Sequence, residues 1–440
     1  MHSRTEPVRL FLGTAARWIA GLELPIVVVG VAPVLLFDAW MPKWAICAAL
    51  AAIPMLWLIR WVGYGSPIRA TPLDLPILLL LMTVPVGIWA TAIKPLSLPE
   101  VYRVVLGVGL FYATVGTLTS ARRLWSFAGL LILAVPALAL LALLGTQLSD
   151  GKFPVLAALY DWIPSAISPF WRPTGLGPNS VAGGLAMLLP ITIGFALGAR
   201  GIWLRVFCAL ASLFAGSVLV LTQSRGALFG LALAVLVILV LWNRWFLLAI
   251  PAAIIAGAAA IWALGLEWLS GLMLSGTATS AVASLEGRLA IWTRALCMVQ
   301  DFPITGVGLG MFDHVLDLLY PMQMVTLETN IYHPHNVFLF QAVSSGLPGL
   351  VALLALLLLL AVMAIQSARQ QTQRGGMWSL SVGLAGALAA YLGHGLFDSP
   401  TSFIRASANL WTLYGLEADL WLYIREQGPS TLQQSVCTHG

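Results

Sequence analysis

VFLFQAVSSGLPGLVALLALLLLLAVMAI, residues 337–365, runs for 29 positions without a charged side chain. A helix rises about 1.5 Å per residue, so about 20 apolar residues cross the hydrocarbon core of a bilayer. This stretch is long enough to span, and the rest of the chain repeats the pattern. Apolar runs near 18–37, 44–62, 73–93, 100–119, 124–144, 178–198, 203–222, 226–242 and 245–265 precede it, and 377–396 and 405–424 follow it. The expectation is an all-α polytopic membrane protein of about 12 transmembrane helices, forming one integral membrane unit over 1–440. Composition agrees. Residues are 60% hydrophobic and 9% charged, with mean hydropathy +0.93. A soluble domain carries roughly 25% charged residues and has too little interior to hide this much apolar surface. The 41 glycines and 25 prolines suit helices in lipid better than helices in water.

Basic residues set the expected orientation. With the N-terminus inside, short cytoplasmic segments hold 13 of the 22 Lys and Arg, and each contains at least one Arg. Both termini are then cytoplasmic. The net charge of +5 follows from this topology, and no basic cluster is interleaved with aromatics, so nucleic acid is not an expected partner. Membrane lipids are. The arginines before the first apolar run are followed by no clear small-residue cleavage site, so that run reads as a retained helix. Cys47, Cys208, Cys297 and Cys437 share no short spacing, which supports neither a disulfide framework nor a zinc motif.

Two outer segments are long. Residues 145–177 are rich in Pro, Trp and Ser. Residues 266–336 form a large loop between the ninth and tenth expected spans. Inside it, Ser284 is placed to cap a helix with Glu286 in its first turn. Leu285, Leu289, Trp292 and Leu296 recur at helical steps, and Pro303 with the glycines of ITGVGLG stops the pattern. MFDHVLDLLY (311–320) reads as a second short helix. Both are expected on the membrane surface or capping the bundle.

Five groups of polar residues map to the outer side. His335 and Asn336, in HPHNVFLF, stand where the large loop meets the tenth span. They suit a polar interface turn, or a general base, since imidazole takes a proton at neutral pH. Arg225, in SRGALFGL, occupies a short turn between two spans, where it would snorkel or serve the site. Arg288 and Trp292 lie one turn apart on the loop helix. Arg172 precedes a span opening with Pro178, Asn179 and Ser180, and Asn179 would cap that span or position a ligand. His394 and Asp398, in GHGLFDSP, are four residues apart and share a face if the helix continues. That pair leaves metal binding open, but two ligands do not make a metal site. Several arginines near a histidine suit an anionic, lipid-linked substrate, because guanidinium binds phosphate oxygens in pairs and keeps its proton.

In their order and spacing these stretches resemble the O-antigen ligase and polymerase superfamily of bacterial envelopes. The resemblance rests on Arg-Pro-Thr-Gly…Pro-Asn from Arg172, Ser-Arg-Gly at 224–226, Gly-Arg…Trp at 287–292, the Pro and glycines of 303–308, and His-Asn at 335–336 with Gly-Leu-Pro-Gly following. It covers roughly residues 170–405. It implies a metal-independent GT-C-type glycosyltransferase of the inner membrane with a large periplasmic helical loop. The implied donor is O-antigen on undecaprenyl diphosphate, and a ligase's acceptor is a sugar hydroxyl of lipid A–core. His335 would be the base, and Arg225, Arg288 and Arg172 would hold the diphosphate. Asn336, Asp398, His394, Asn179 and Trp292 would support them. A polymerase shares the donor. Arg172 and Gly183 fit a polymerase-type spacing, but Arg288 and Arg294 do not, and one dominant late loop favours the ligase. A transporter of lipid-linked glycans would place charges at mid-membrane and show internal repeats. Glu23, Asp74, Glu417 and Asp419 fall instead near the ends of the expected spans.

Overall fold

The computed structural model describes residues 6–37, 41–146, 177–264, 285–321, 331–371, 373–398 and 404–437, and all regular structure among them is helical. The helices are α1 (Glu6–Gly21), α2 (Glu23–Phe37), α3 (Lys43–Tyr64), α4 (Asp74–Ala90), α5 (Lys94–Thr117), α6 (Ala121–Gly145), α7 (Pro178–Gly198), α8 (Ile202–Leu221), α9 (Arg225–Trp242), α10 (Ala249–Leu264, led by a short 3₁₀ turn Arg244–Leu248), α11 (Leu285–Asp301), α12 (Phe312–Leu319), α13 (Val337–Arg369), α14 (Gly376–Gly395) and α15 (Ile404–Cys437).

Among the described residues, nine helices are long and apolar enough to cross a membrane. The first expected span, 18–37, straddles a break: Leu12–Gly21 and Glu23–Leu35 meet at 51° and pass the same test only as a bent pair. Helix α4 has 17 residues, just short of a full crossing, and α15 carries buried acidic groups. Apolar side chains such as Trp18, Trp44, Trp203, Ile254 and Trp262 point outward, where lipid rather than water is the fitting surround. No residue within 244–263 is buried.

Helices α7 and α14 form the centre, and small residues bring them together. A Cβ on Gly194 would lie 2.4 Å from the Ser379 carbonyl oxygen, and one on Gly383 would lie 2.8 Å from Ile191 Cα. Without a hydrophobic drive between helices in lipid, such close backbone contact supplies the packing energy. The same device joins α9 to α14, where Gly230 and Gly393 leave room for one another.

The two ends of the bundle differ in chemistry. One end holds Arg17 on the Gly63 carbonyl, the buried Glu23–Arg60 pair at 3.1 Å, and Arg69 on Asp419 and Glu426 at 2.7 Å each. Glu417 and Asp419 belong to this same end, Asp419 through its contact with Arg69. Helix α15 runs past residue 424 to Cys437, so both lie within it and are buried, beside Ser367 and Arg69 respectively. The opposite end gathers the α4–α5 turn, the starts of α9 and α13, the end of α14, and a cap made of α11, α12 and the segment between them.

The cap is locked to α13 through backbone. Helix α13 breaks at Gly346 (φ 69°, ψ −175°), two residues before Pro348. There Val307 N donates to the Val343 carbonyl at 2.8 Å, and Leu347 N donates to the Pro303 carbonyl at 2.7 Å. Bonds that a straight helix would make internally go to the glycine-rich segment instead. Leu309 O receives the Ser97 hydroxyl at 2.8 Å, tying the same segment to α5. The phase of α11 differs from the expected one. Leu289 and Leu296 are exposed, and Ile291, Ala295 and Met298 face the core, packing with Phe312, Leu316 and Val343. Spacing alone admits both stripes, and contact with α13 selects between them.

Candidate functional site

The site is built where α9, α11, α13 and α14 meet. Asn336 is the N-cap of α13, its Oδ1 accepting from Phe338 N and Leu339 N at 3.0 Å each. Its Nδ2 donates to the Leu396 carbonyl at 3.1 Å, so one side chain ties the start of α13 to the end of α14. Trp292 Nε1 donates to the Pro334 carbonyl at 2.8 Å and holds the same strand of chain to α11. Pinned from both sides, His335 adopts φ 51°, a region that non-glycine residues rarely enter and that clusters at functional sites.

Within this frame His335 Nδ1 lies 3.3 Å from Asp398 Oδ1. An ionised carboxylate only accepts, so it assigns the proton to Nδ1 and leaves the lone pair on Nε2. Helix α14 continues its turn through the Asp398 N–H, which donates to the His394 carbonyl at 3.0 Å. His394 and Asp398 therefore share a face, with Nε2 and Oδ2 3.8 Å apart, too long for a hydrogen bond. Burial alone would raise the Asp398 carboxyl. The hydrogen bond from His335 and the neighbouring His394 and His333 outweigh it and hold the group well below the carboxylate range.

Arg288 projects from α11 beside Asp398 and Arg225. Burial pulls its guanidinium below the ordinary value, Asp398 opposes that, and Arg225 adds to it. The group remains a cation at any working pH. Its Nε makes no hydrogen bond among the described residues. Arg225 begins α9, and Gly226 beside it is pressed so close to α14 that a Cβ there would lie 3.1 Å from the His394 ring. Phe229 and Phe397 cross edge to face at 5.5 Å just behind. Arg288 is thus brought beside the histidine–carboxylate pair and Arg225 beside Arg288, a geometry that offers a base next to an anion-binding surface.

Ligand atoms of His333, His335 and Asp398 lie within 4.8 Å of one another. Two imidazoles and a carboxylate are a donor set a divalent cation accepts. However, His333 Nδ1 already accepts the His335 backbone N–H at 3.2 Å, and the neutral ring then carries its proton on Nε2. To ligate a cation, His333 would have to release that bond, next to two arginines.

The described residues bring together His335, Asn336, Arg225, Arg288, Trp292, His394 and Asp398. Arg172 and Ser284 lie outside them. Asn179 does not cap α7: Gly177 is the N-cap, Pro178 takes the first helical position, and Asn179 follows inside the first turn. Proline has no N–H to offer there, so it displaces the capping residue by two positions. His333 and Gln223 were not assigned roles from sequence. His333 is buried against His335, with ring centroids 4.4 Å apart, and burial, with His335 and Arg288, lowers it to about 4 against the pull of Asp398. Gln223, buried just before Arg225, is the other non-glycine residue with positive φ, at 52°. The pair of histidines flanking Pro334 is a sequence signal for the first. Nothing in the sequence signals the second.

Residues 209–354 match the family model of the O-antigen ligases (Wzy_C). The chain is similar to O-antigen ligases over that segment, about a third of its length, which is narrower than the 170–405 over which the motifs were read. The matched segment runs from α8 to the middle of α13 and contains Arg225, Arg288, Trp292, His335 and Asn336. Asn179 precedes it, and His394 and Asp398 follow it. No curated protein matches the chain.

Proposed function

We propose that this protein is an O-antigen ligase. It transfers O-antigen from undecaprenyl diphosphate to a sugar hydroxyl of lipid A–core, by a GT-C-type inverting reaction that uses no metal. The observation that carries the reading is the meeting of His335, paired to Asp398, with Arg288 and Arg225 at one end of the bundle. The O-antigen ligase match supports the donor class.

In this reading His335 Nε2 takes the proton of the acceptor hydroxyl while Asp398 holds the ring and balances the imidazolium charge. The acceptor oxygen bonds to the anomeric carbon from the face opposite the diphosphate. The bond from that carbon to the phosphate oxygen breaks, and undecaprenyl diphosphate leaves. Displacement from the opposite face inverts the configuration. Arg288 and Arg225, with Arg172 as a third contact, stabilise the charge developing on the leaving group. Trp292, Asn336 and His394 hold the frame, with Asn179, in the first turn of α7, as a further supporting residue. Twelve spans, cytoplasmic termini and a large periplasmic loop (residues 266–336), of which 266–284 and 322–330 lie outside the described residues, complete the proposal. The arginine-rich opposite end of the bundle agrees with that orientation.

The test is expression in a ligase-null bacterium that makes lipid-linked O-antigen and a compatible core. The expected result is a restored lipopolysaccharide ladder, lost with His335→Ala and with Arg288→Ala at matched expression. No ladder from well-expressed parent would favour a polymerase, provided the host's donor and core are accepted. A ladder that survives His335→Ala would overturn the mechanism while keeping the function.

A further inference from the structure

We propose that His333 is a positioning residue whose Nδ1, by accepting the backbone N–H of His335, holds His335 in the left-handed conformation that turns its ring onto Asp398. The inference rests on His335 acting as the base. Four observations carry it. The bond is 3.2 Å long and joins a side-chain acceptor to the N–H two residues further on. Asn and Asp make the same closure in Asx turns, and here an imidazole makes it. Because α13 begins only at Val337, no helix bond is available to that N–H. His335 has φ 51°, so a conformation seldom adopted by non-glycine residues needs a local restraint. His333 is 6% exposed, and its ring stands against that of His335 at 63°, so ring and backbone are constrained together.

Protonation state agrees with this role. A protonated imidazole donates from both nitrogens and would lose the acceptor. Burial, His335 and Arg288 all disfavour the charge on His333, Asp398 favours it, and the balance leaves the ring neutral down to about pH 4. The acceptor is therefore present down to about pH 4. The Trp292 bond to Pro334 and the Asn336 cap fix the flanking residues but leave the His335 peptide itself to His333.

The test uses the geometry of the replacements. Asn places its oxygen where Nδ1 stood, whereas Gln places it out where Nε2 stood. Leu has neither. The purified full chain would be assayed for transfer between lipid-linked donor and core acceptor, with kcat and KM measured separately. His333→Asn is expected to retain most of the rate. His333→Gln and His333→Leu are expected to lose about 10²-fold in kcat with little change in KM, as befits a misplaced base. Activity retained by Gln and lost by Asn would mean that His333 acts through Nε2, and would overturn the proposal. So would near-parental rates, or complete loss, in all three variants.

A second readout needs no substrate. Ring nitrogen NMR of ¹⁵N-histidine protein, assigned by the same variants, should show His333 protonated at Nε2 and bare at Nδ1, with His335 the reverse. A protonated Nδ1 on His333 would refute the inference whatever the activity. A parent chain that transfers nothing, yet gives the expected spectrum, would count against the proposed function and leave this inference standing.

Discussion

Gly346→Ala should loosen the cap from the bundle. Gly346 has φ 69° and ψ −175°, a region open essentially to glycine alone, and an alanine held there costs on the order of 1–3 kcal/mol. The new Cβ would also lie 2.2 Å from the Ile304 carbonyl oxygen and 2.9 Å from that of Pro303. Both are backbone atoms, so no side chain can rotate away. Relief requires residues 303–306 to withdraw from α13. That breaks the bonds from Val307 N to Val343 O and from Leu347 N to Pro303 O, each contributing about 0.5–1.5 kcal/mol net. The total is about 2–6 kcal/mol. The assay is thermal unfolding of the detergent-purified protein, with Gly257→Ala as control, since a Cβ there meets nothing within 4 Å. The variant should melt several degrees below the parent, the control should not, and Cys297 on α11 should react faster with a maleimide as the cap loosens. A Gly346→Ala protein with parental Tm and unchanged Cys297 reactivity would refute the claim that this backbone lock holds the cap.

Four further outcomes follow from the same geometry. Arg288→Ala should lower the single-turnover transfer rate about 10²–10³-fold, and Arg288→Lys should return only part of it, because an ammonium cannot grip phosphate in paired fashion; a rate near that of the parent would remove this guanidinium from the mechanism. Asp398→Asn should cost at least about 10²-fold in kcat, since the amide no longer fixes one imidazole tautomer; its depressed carboxyl stays ionised from pH 8 to 5, so the parent should show no acid limb in that window from this group. His333 titrates near 4 in the fold and near its ordinary value of 6.5 when unfolded, so the unfolded chain binds the proton first. Its stabilising contribution is complete above about pH 6.5 and is lost as pH falls toward 4, about 3 kcal/mol in all, and melting curves of His333→Asn should lack that share of the slope. Finally, Arg60→Met should destabilise by about 3–5 kcal/mol by stranding the buried Glu23 carboxylate, and adding Glu23→Gln should recover much of it; equal Tm for parent and Arg60→Met would show the pair to be dispensable.

The sequence by itself determined that the protein lives in a membrane, because uncharged runs of spanning length have no other stable solvent. It also located the helices, since hydropathy is a local property, and each expected span coincides with a helix or a bent pair. It singled out His335, Arg225, Arg288, Trp292 and Asp398 because charge and imidazole are scarce in such a chain. What it left open depends on contacts between distant segments. The break between α1 and α2 sits beside the Glu23–Arg60 pair, whose members are 37 residues apart. The buried face of α11 was decided by α13, not by leucine spacing. Proline at the first turn of α7 moved the cap from Asn179 to Gly177. Asp398 reaches His335 across 63 residues because Gly395 leaves room for Val337 where α14 ends against the start of α13, and Asn336 ties α13 to Leu396. The role assigned to His333 is tertiary too: its neutral charge state follows from burial beside His335 and Arg288, which outweigh Asp398, and burial is a property of the fold, not of the residue.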